Sequence, residues 1–234
     1  MSESRRTLLI TGASTGIGAA TARHAVEAGW QVALGARSED KLEALVQELG
    51  EDNALAQACD VTEFGDQETF VAATIERFGK FDAAFANAGF GAARGFLKED
   101  PDQWRQMILT NVLGVAYTIR AVMPHFKERN AGHFLLTSSV AGRRALPGSL
   151  YSSTKHAVTA MGEALRQELR QQEGSKVRVT LVEPGVVDTP FFDSPPSIEA
   201  LQPDDIARVV MFVLDQPAHV DVNEVLIRPT SQAG

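Results

Sequence analysis

The chain has 234 residues, is 44% hydrophobic and 22% charged, and carries a formal net charge of −8. That length and apolar share suffice for one full-sized core, and the acidic balance argues against nucleic acid or an anionic membrane as partner, because Arg5-Arg6 and Arg143-Arg144 are pairs and not a patch. Leu8-Leu9-Ile10 is too short an apolar run for a leader or a span. The sole cysteine, Cys59, rules out an internal disulfide and fits a core position in a reducing, cytoplasmic setting.

In chain order, short apolar runs predict strands at 7–11, 31–36, 54–59, 81–86, 132–137, 177–182 and 222–227. Helix-period segments between them predict helices at 16–28, 39–49, 67–78, 101–129, 149–172 and 203–214. Ser38 before Glu39-Asp40, and Asp100 before Pro101, are helix starts; Gly29 and Gly50 sit where helices end. Pro124 should bend the fifth helix or end it early. The stripe Ile108, Val112, Val115, Ile119, Val122 and Phe126 on that helix must cover a sheet, with any surplus left for a second subunit. The strand–helix alternation predicts one doubly wound α/β domain over 1–234, a seven-stranded parallel sheet with helices on both faces, and short disordered tails at 1–5 and 231–234.

Between the first strand and first helix lies Thr11-Gly12-Ala13-Ser14-Thr15-Gly16-Ile17-Gly18. Glycines in such a turn let the backbone approach a pyrophosphate, which then rests on the helix N-terminus. About 20 residues further on, where a ribose-reading residue belongs, stands Arg37, with Ala36 before it. An arginine there favours a 2′-phosphate, so NADP(H) is preferred and NAD(H) remains possible. Tyr151 and Lys155, four apart, share one helix face. An ammonium close to a phenol is expected to lower its pKa from about 10, giving a proton donor and acceptor usable near neutral pH. No metal ligand set is expected.

On these residues the chain resembles the short-chain dehydrogenase/reductase family, in an NADP-preferring form, from Thr7 to about Thr230. The resemblance implies a Rossmann-type fold and a catalytic set of Asn111, Ser139, Tyr151 and Lys155. It implies cofactor contacts from Gly12, Ser14, Thr15, Gly16, Ile17 and Gly18, then Arg37, then Asp60-Val61. Asn87-Ala88-Gly89, Tyr151, Lys155 and the segment Pro184, Gly185, Val187 and Thr189 complete those contacts. Tyr151 then exchanges the substrate proton, Ser139 holds the substrate oxygen, and Lys155 binds nicotinamide ribose while depressing the tyrosine. Asn111 distorts its helix and holds a water that relays protons to Lys155. Either Ser138 or Ser139 faces the site; the register of Val140-Ala141-Gly142 selects Ser139. The spacing from Ser139 to Tyr151, 12 positions, is one short of the family's usual pattern, and the 189–202 segment is a short lid.

Val140, Arg143, Leu146, Leu150, Val186, Phe191, Phe192 and Arg94 are expected toward the substrate, with Arg94, Arg143 or Arg144 available for an acid group or for surface contacts. The implied activity is hydride transfer between a nicotinamide and the carbonyl or alcohol carbon of a small organic substrate, as an alcohol dehydrogenase or carbonyl reductase. The alternative is a non-catalytic NADP(H)-sensing regulator on the same fold. A homotetramer or homodimer is expected, with no nucleic acid or membrane partner.

Overall fold

The computed structural model describes residues 5–91, 94–190 and 196–232. Its strands are β1 (Thr7–Thr11), β2 (Gln31–Ala36), β3 (Ala54–Ala58), β4 (Ala83–Ala86), β5 (Gly132–Thr137), β6 (Val177–Pro184) and β7 (Glu224–Ile227). They pair in parallel in the order β3-β2-β1-β4-β5-β6-β7. The helices are α1 (Gly16–Glu27), α2 (Glu39–Leu49), α3 (Phe64–Phe78), α4 (Pro101–Ile108), α5 (Gly114–Arg129), α6 (Leu150–Gln171) and α7 (Pro203–Leu214). Every residue of β1 and of β4 is buried, as befits parallel strands covered on both faces.

Because side chains alternate along a strand, neighbours in β1 serve different cores. Leu8 and Ile10 join Val32, Leu34 and Val210 on the face covered by α1 and α7, whereas Leu9 joins Ala33, Phe134 and Val158 under α3, α5 and α6. On that second face the Phe126 ring meets Phe81 and Phe134 at centroid distances of 5.2 and 4.9 Å. Truncating such a ring to alanine removes about 3–5 kcal/mol.

One of two outcomes expected at Pro124 is removed here, and one helix boundary is corrected. Pro124 does not end its helix: α5 runs through it to Arg129 and closes on left-handed Asn130, held down by buried Val122 and Phe126 on either side. The single predicted helix at 101–129 is instead α4 and α5 joined by a π turn, Leu109–Leu113. This rod is long and apolar enough to cross a bilayer; here its Met107, Val115, Val122 and Phe126 are buried against the protein.

The chain reverses its direction of growth between β1 and β4, which are neighbours in space although β2 and β3 intervene in sequence. Crevices beyond the carboxyl ends of strands at such a switch point are where open α/β sheets bind ligands.

Candidate active site

A cleft of about 560 Å³ opens at that switch point. Its floor is the turn from β1 into α1. Gly12 has φ +67°, and a Cβ there would lie 2.8 Å from the Ala88 backbone, so no larger residue fits. Thr15 precedes α1 without giving it a side-chain cap, so the first N–H groups of that helix are left for an anion. Gly18, expected as a cofactor contact, does not line the cleft. A Cβ on it would meet the Gly12 carbonyl oxygen at 2.3 Å, so its smallness lets α1 pack on its own loop.

Asn87 fixes the opposite wall. Its side-chain amide donates to the carbonyls of Thr11 and Gly12, both at 3.3 Å, and its Oδ1 accepts from Thr137 Oγ1 at 3.3 Å. One residue thus ties together the ends of β1, β4 and β5. Ser14, Thr15, Gly16, Ile17, Arg37, Asp60, Val61, Ala88, Gly89, Pro184, Gly185, Val187 and Thr189 line the same cleft. Arg37 makes no ion pair among the described residues. Asp60 is turned inward at its rim, accepting from Thr62 N and Oγ1 at 2.9 and 2.8 Å.

At the other end stand Ser139, Tyr151 and Lys155. Ser149 caps α6 by accepting from Ser152 N, which sets Tyr151 in the first turn of that helix. Tyr151 and Ser139 line the same end of the cleft, and Ser139 is near enough to pull on the phenol, so the shortened spacing does not separate the two. Ser139 Oγ also donates to the Pro184 carbonyl at 3.3 Å and accepts from Ala141 N at 3.1 Å. Ser138 serves the frame, donating to the Lys155 carbonyl at 3.0 Å and sharing a 2.7 Å bond with Thr159. Lys155 Nζ donates to the Thr137 carbonyl at 2.7 Å and lies 5.6 Å from the Tyr151 ring centre.

The expected depression of the tyrosine is not what these surroundings produce. Burial pushes the Tyr151 phenol up to about 12 against the pull of Ser139, and burial draws the Lys155 ammonium down to about 8. Desolvation outweighs the charge of one lysine that is itself buried.

Asn111 sits in the π turn and is wholly buried. Its Oδ1 accepts from Phe90 N at 3.0 Å, and its Nδ2 donates to Phe90 O at 2.8 Å and Thr154 Oγ1 at 3.2 Å. The helix distortion is present, but the amide is engaged at both ends. The side chain thereby fastens the loop after β4 to α6.

Two candidates for the substrate wall, Arg143 and Leu150, are not found there. Arg143 turns away from the cleft: its Nε donates to both carboxylate oxygens of buried Glu183, at 2.8 and 3.0 Å, and it pairs with Glu224. Leu150 and Arg144 do not line the cleft, whereas Val140, Leu146, Val186 and Arg94 do. Phe191 and Phe192 lie outside the described residues. Sequence reasoning missed Phe90, Thr110 and Gln232, all of which line the cleft; Gln232 accepts from Val186 N at 2.9 Å across 46 residues of chain, a contact without a local signal. Cys59, buried, has its thiol pushed up to about 12 by burial and by Asp66 and Asp60, which marks it as inert.

The model of the short chain dehydrogenase family matches residues 6–197. An uncharacterized oxidoreductase of Listeria monocytogenes is 40% identical over 99% of each chain. An alcohol dehydrogenase from the archaeon Thermococcus sibiricus, solved in complex with 5-hydroxy-NADP, superposes with a TM-score of 0.90 at 34% identity over 98% of this chain and 99% of that one. Serine dehydrogenase from Escherichia coli superposes with a TM-score of 0.87 at 33% identity over 97% of this chain and all of that one. Fold, cleft and these likenesses agree, and the chain belongs to the short-chain dehydrogenase/reductase family of oxidoreductases.

Proposed function

We propose that this protein is an NADP-dependent alcohol dehydrogenase or carbonyl reductase acting on a small organic substrate. The observation that carries this reading is the convergence of Ser139, Tyr151 and Lys155 at the head of the cleft whose floor is the uncapped, glycine-bounded start of α1. That floor fits a dinucleotide pyrophosphate, held by Gly12 through Ile17, and Arg37 fits a 2′-phosphate at the rim. The nicotinamide, when bound, supplies or accepts the hydride.

The chain's own groups do the rest. In reduction the carbonyl carbon gains a hydride and its oxygen gains a proton from the Tyr151 hydroxyl. A phenol pushed up to about 12 keeps that proton at every physiological pH. Ser139 donates to the same oxygen and steadies the charge developing there. Lys155, drawn down to about 8, is still mostly charged at pH 7 and favours the phenolate that donation leaves behind. Asn111, through Phe90 and Thr154, holds the loop and helix in register.

Oxidation of NADPH and NADH over a panel of aldehydes and ketones tests the reading. NADPH should give the higher kcat/KM, and Arg37→Asp should lower it by about 10- to 100-fold, the worth of one charge-assisted hydrogen bond. Cofactor binding without turnover of any substrate would favour the sensing alternative; a wild-type preference for NADH would remove the role of Arg37. A cytoplasmic homo-oligomer is part of the same reading, supported by exposed Ile108, Phe212 and Leu226, and light scattering checks the assembly.

A further inference from the structure

The charges lining the cleft are few and unevenly placed. Among the described residues, the basic ones on its wall are Arg37, Arg94 and Lys155, and the acidic one is Asp60. Arg37 and Asp60 follow β2 and β3, on the side of the sheet away from Tyr151. Lys155 is buried against the Thr137 carbonyl. Arg94 is therefore the exposed cation at the Tyr151 end, and no described carboxylate lines that end with it.

Seven arginines are spent on ion pairs of the fold: Arg6, Arg23, Arg129, Arg143, Arg166, Arg170 and Arg208 all hold carboxylates. Arg94 makes no ion pair or hydrogen bond through its guanidinium among the described residues, so its charge is available inside the cleft.

The backbone fixes where that charge sits. Gly95 N donates to the Gly148 carbonyl at 2.8 Å. Both glycines have positive φ, +115° and +63°, and a Cβ on Gly148 would stand 2.9 Å from Gly95 N, so only glycine at 148 allows this approach. Gly148 lies three positions before Tyr151, in the turn that Ser149 converts into α6. The Arg94 loop is thereby latched to the segment that delivers the proton donor. The remaining wall at this end sets apolar Phe90, Val140, Leu146 and Val186 beside uncharged Ser149 and Gln232.

We infer that Arg94 binds a carboxylate of the substrate, so that the substrate class is a short hydroxy acid together with the corresponding oxo acid. The inference rests on the oxidoreductase reading above and deepens it. A guanidinium suits this task because its planar donors match a carboxylate bidentately.

The test compares 2-, 3- and 4-hydroxy acids with their methyl esters in NADP+ reduction, for the wild type, Arg94→Gln and Arg94→Lys. One acid should exceed its ester by about 10- to 100-fold in kcat/KM. Arg94→Gln should remove that advantage through KM, and Arg94→Lys should restore part of it. Equal use of acid and ester by the wild type, or an acid preference that survives Arg94→Gln, would overturn the proposal while leaving the activity intact. Calorimetry with isobutyrate, against isobutyramide as the uncharged control, reads the same contact without turnover. Arg94-dependent isobutyrate binding in a protein that reduces no NADP+ would sink the enzymatic reading and not the carboxylate site; isobutyrate binding no tighter in the wild type than in Arg94→Gln would sink the site.

Discussion

Lys155 and Glu183 are both almost wholly buried, 3% and 1% exposed, yet their charges are handled in opposite ways. Glu183 is met by Arg143, whose Nε reaches both carboxylate oxygens and whose other arm holds Glu224. Burial pushes the Glu183 carboxyl up and Arg143 pulls it back. Lys155 has a backbone carbonyl for company and no ion pair among the described residues, and burial draws it down to about 8. The paired charge joins β6 and β7 to the turn after Ser139. The charge without a carboxylate faces the cleft, where a change of protonation has chemical use.

The largest effect expected from this contrast is on turnover. Tyr151→Phe keeps the ring and removes the proton donor that Lys155 serves, so kcat should fall by about 10²- to 10⁴-fold with NADPH binding retained. Near-normal kcat would undo the assignment of the cleft charge. Next, Arg143→Met leaves Glu183 buried without its partner and should lower unfolding free energy by about 3 kcal/mol, the low end for a broken buried pair because Arg143 reaches solvent. The loss should shrink on acidification, since the folded variant can then take up a proton on Glu183 that the unfolded chain binds less readily. Denaturant titration at two pH values reads both.

Lys155→Met should do the reverse to the fold. A lysine drawn down to about 8 binds fewer protons when folded than when unfolded between about pH 8 and 10.5, so wild-type stability rises with pH across that window. Below it the full cost of the buried ammonium, up to about 3 kcal/mol, is present. The variant should be inactive, more stable than the wild type at pH 7, and no longer ahead at pH 10.5. The effect smallest at neutral pH comes from a third buried group. His133 is 2% exposed, bonded through Nε2 to Thr180 at 2.8 Å, with Nδ1 unpartnered in the interior, and burial pulls it to about 3. The unfolded chain binds the proton first, so stability should fall as pH drops below about 6.5, by about 1.4 kcal/mol per unit. His133→Gln should flatten that slope.

Elements with strong local rules were legible in the sequence. β1, β2, β5, α2 and α7 lie where their periodicity and caps place them. Boundaries moved where distant groups decided them: β4 starts at Ala83, after Phe81 N has found His125 Nε2 at 3.2 Å, and β6 runs on to Pro184, which pairs with Ile227. Tyr151 and Lys155 were legible because helix periodicity puts them on one face, and Ser139 because the Val140-Ala141-Gly142 register of the resemblance selected it over Ser138. Arg143 was not, because its partners Glu183 and Glu224 are 40 and more positions away. The direction of the Tyr151 shift was missed for a related reason: spacing shows a neighbouring charge and hides how much water the fold removes from both groups.

The Asn87 staple has a consequence for the order in which this molecule is made. All the groups that form the floor and the Arg37 rim, from Gly12 to Asn87, are synthesised before residue 90, and β3-β2-β1-β4 already form a contiguous block of sheet. Tyr151 and Lys155 emerge some 60 residues later. On the ribosome the nucleotide seat can thus assemble ahead of the reactive end, waiting only for the Thr137 hydroxyl of β5 to bond to Asn87.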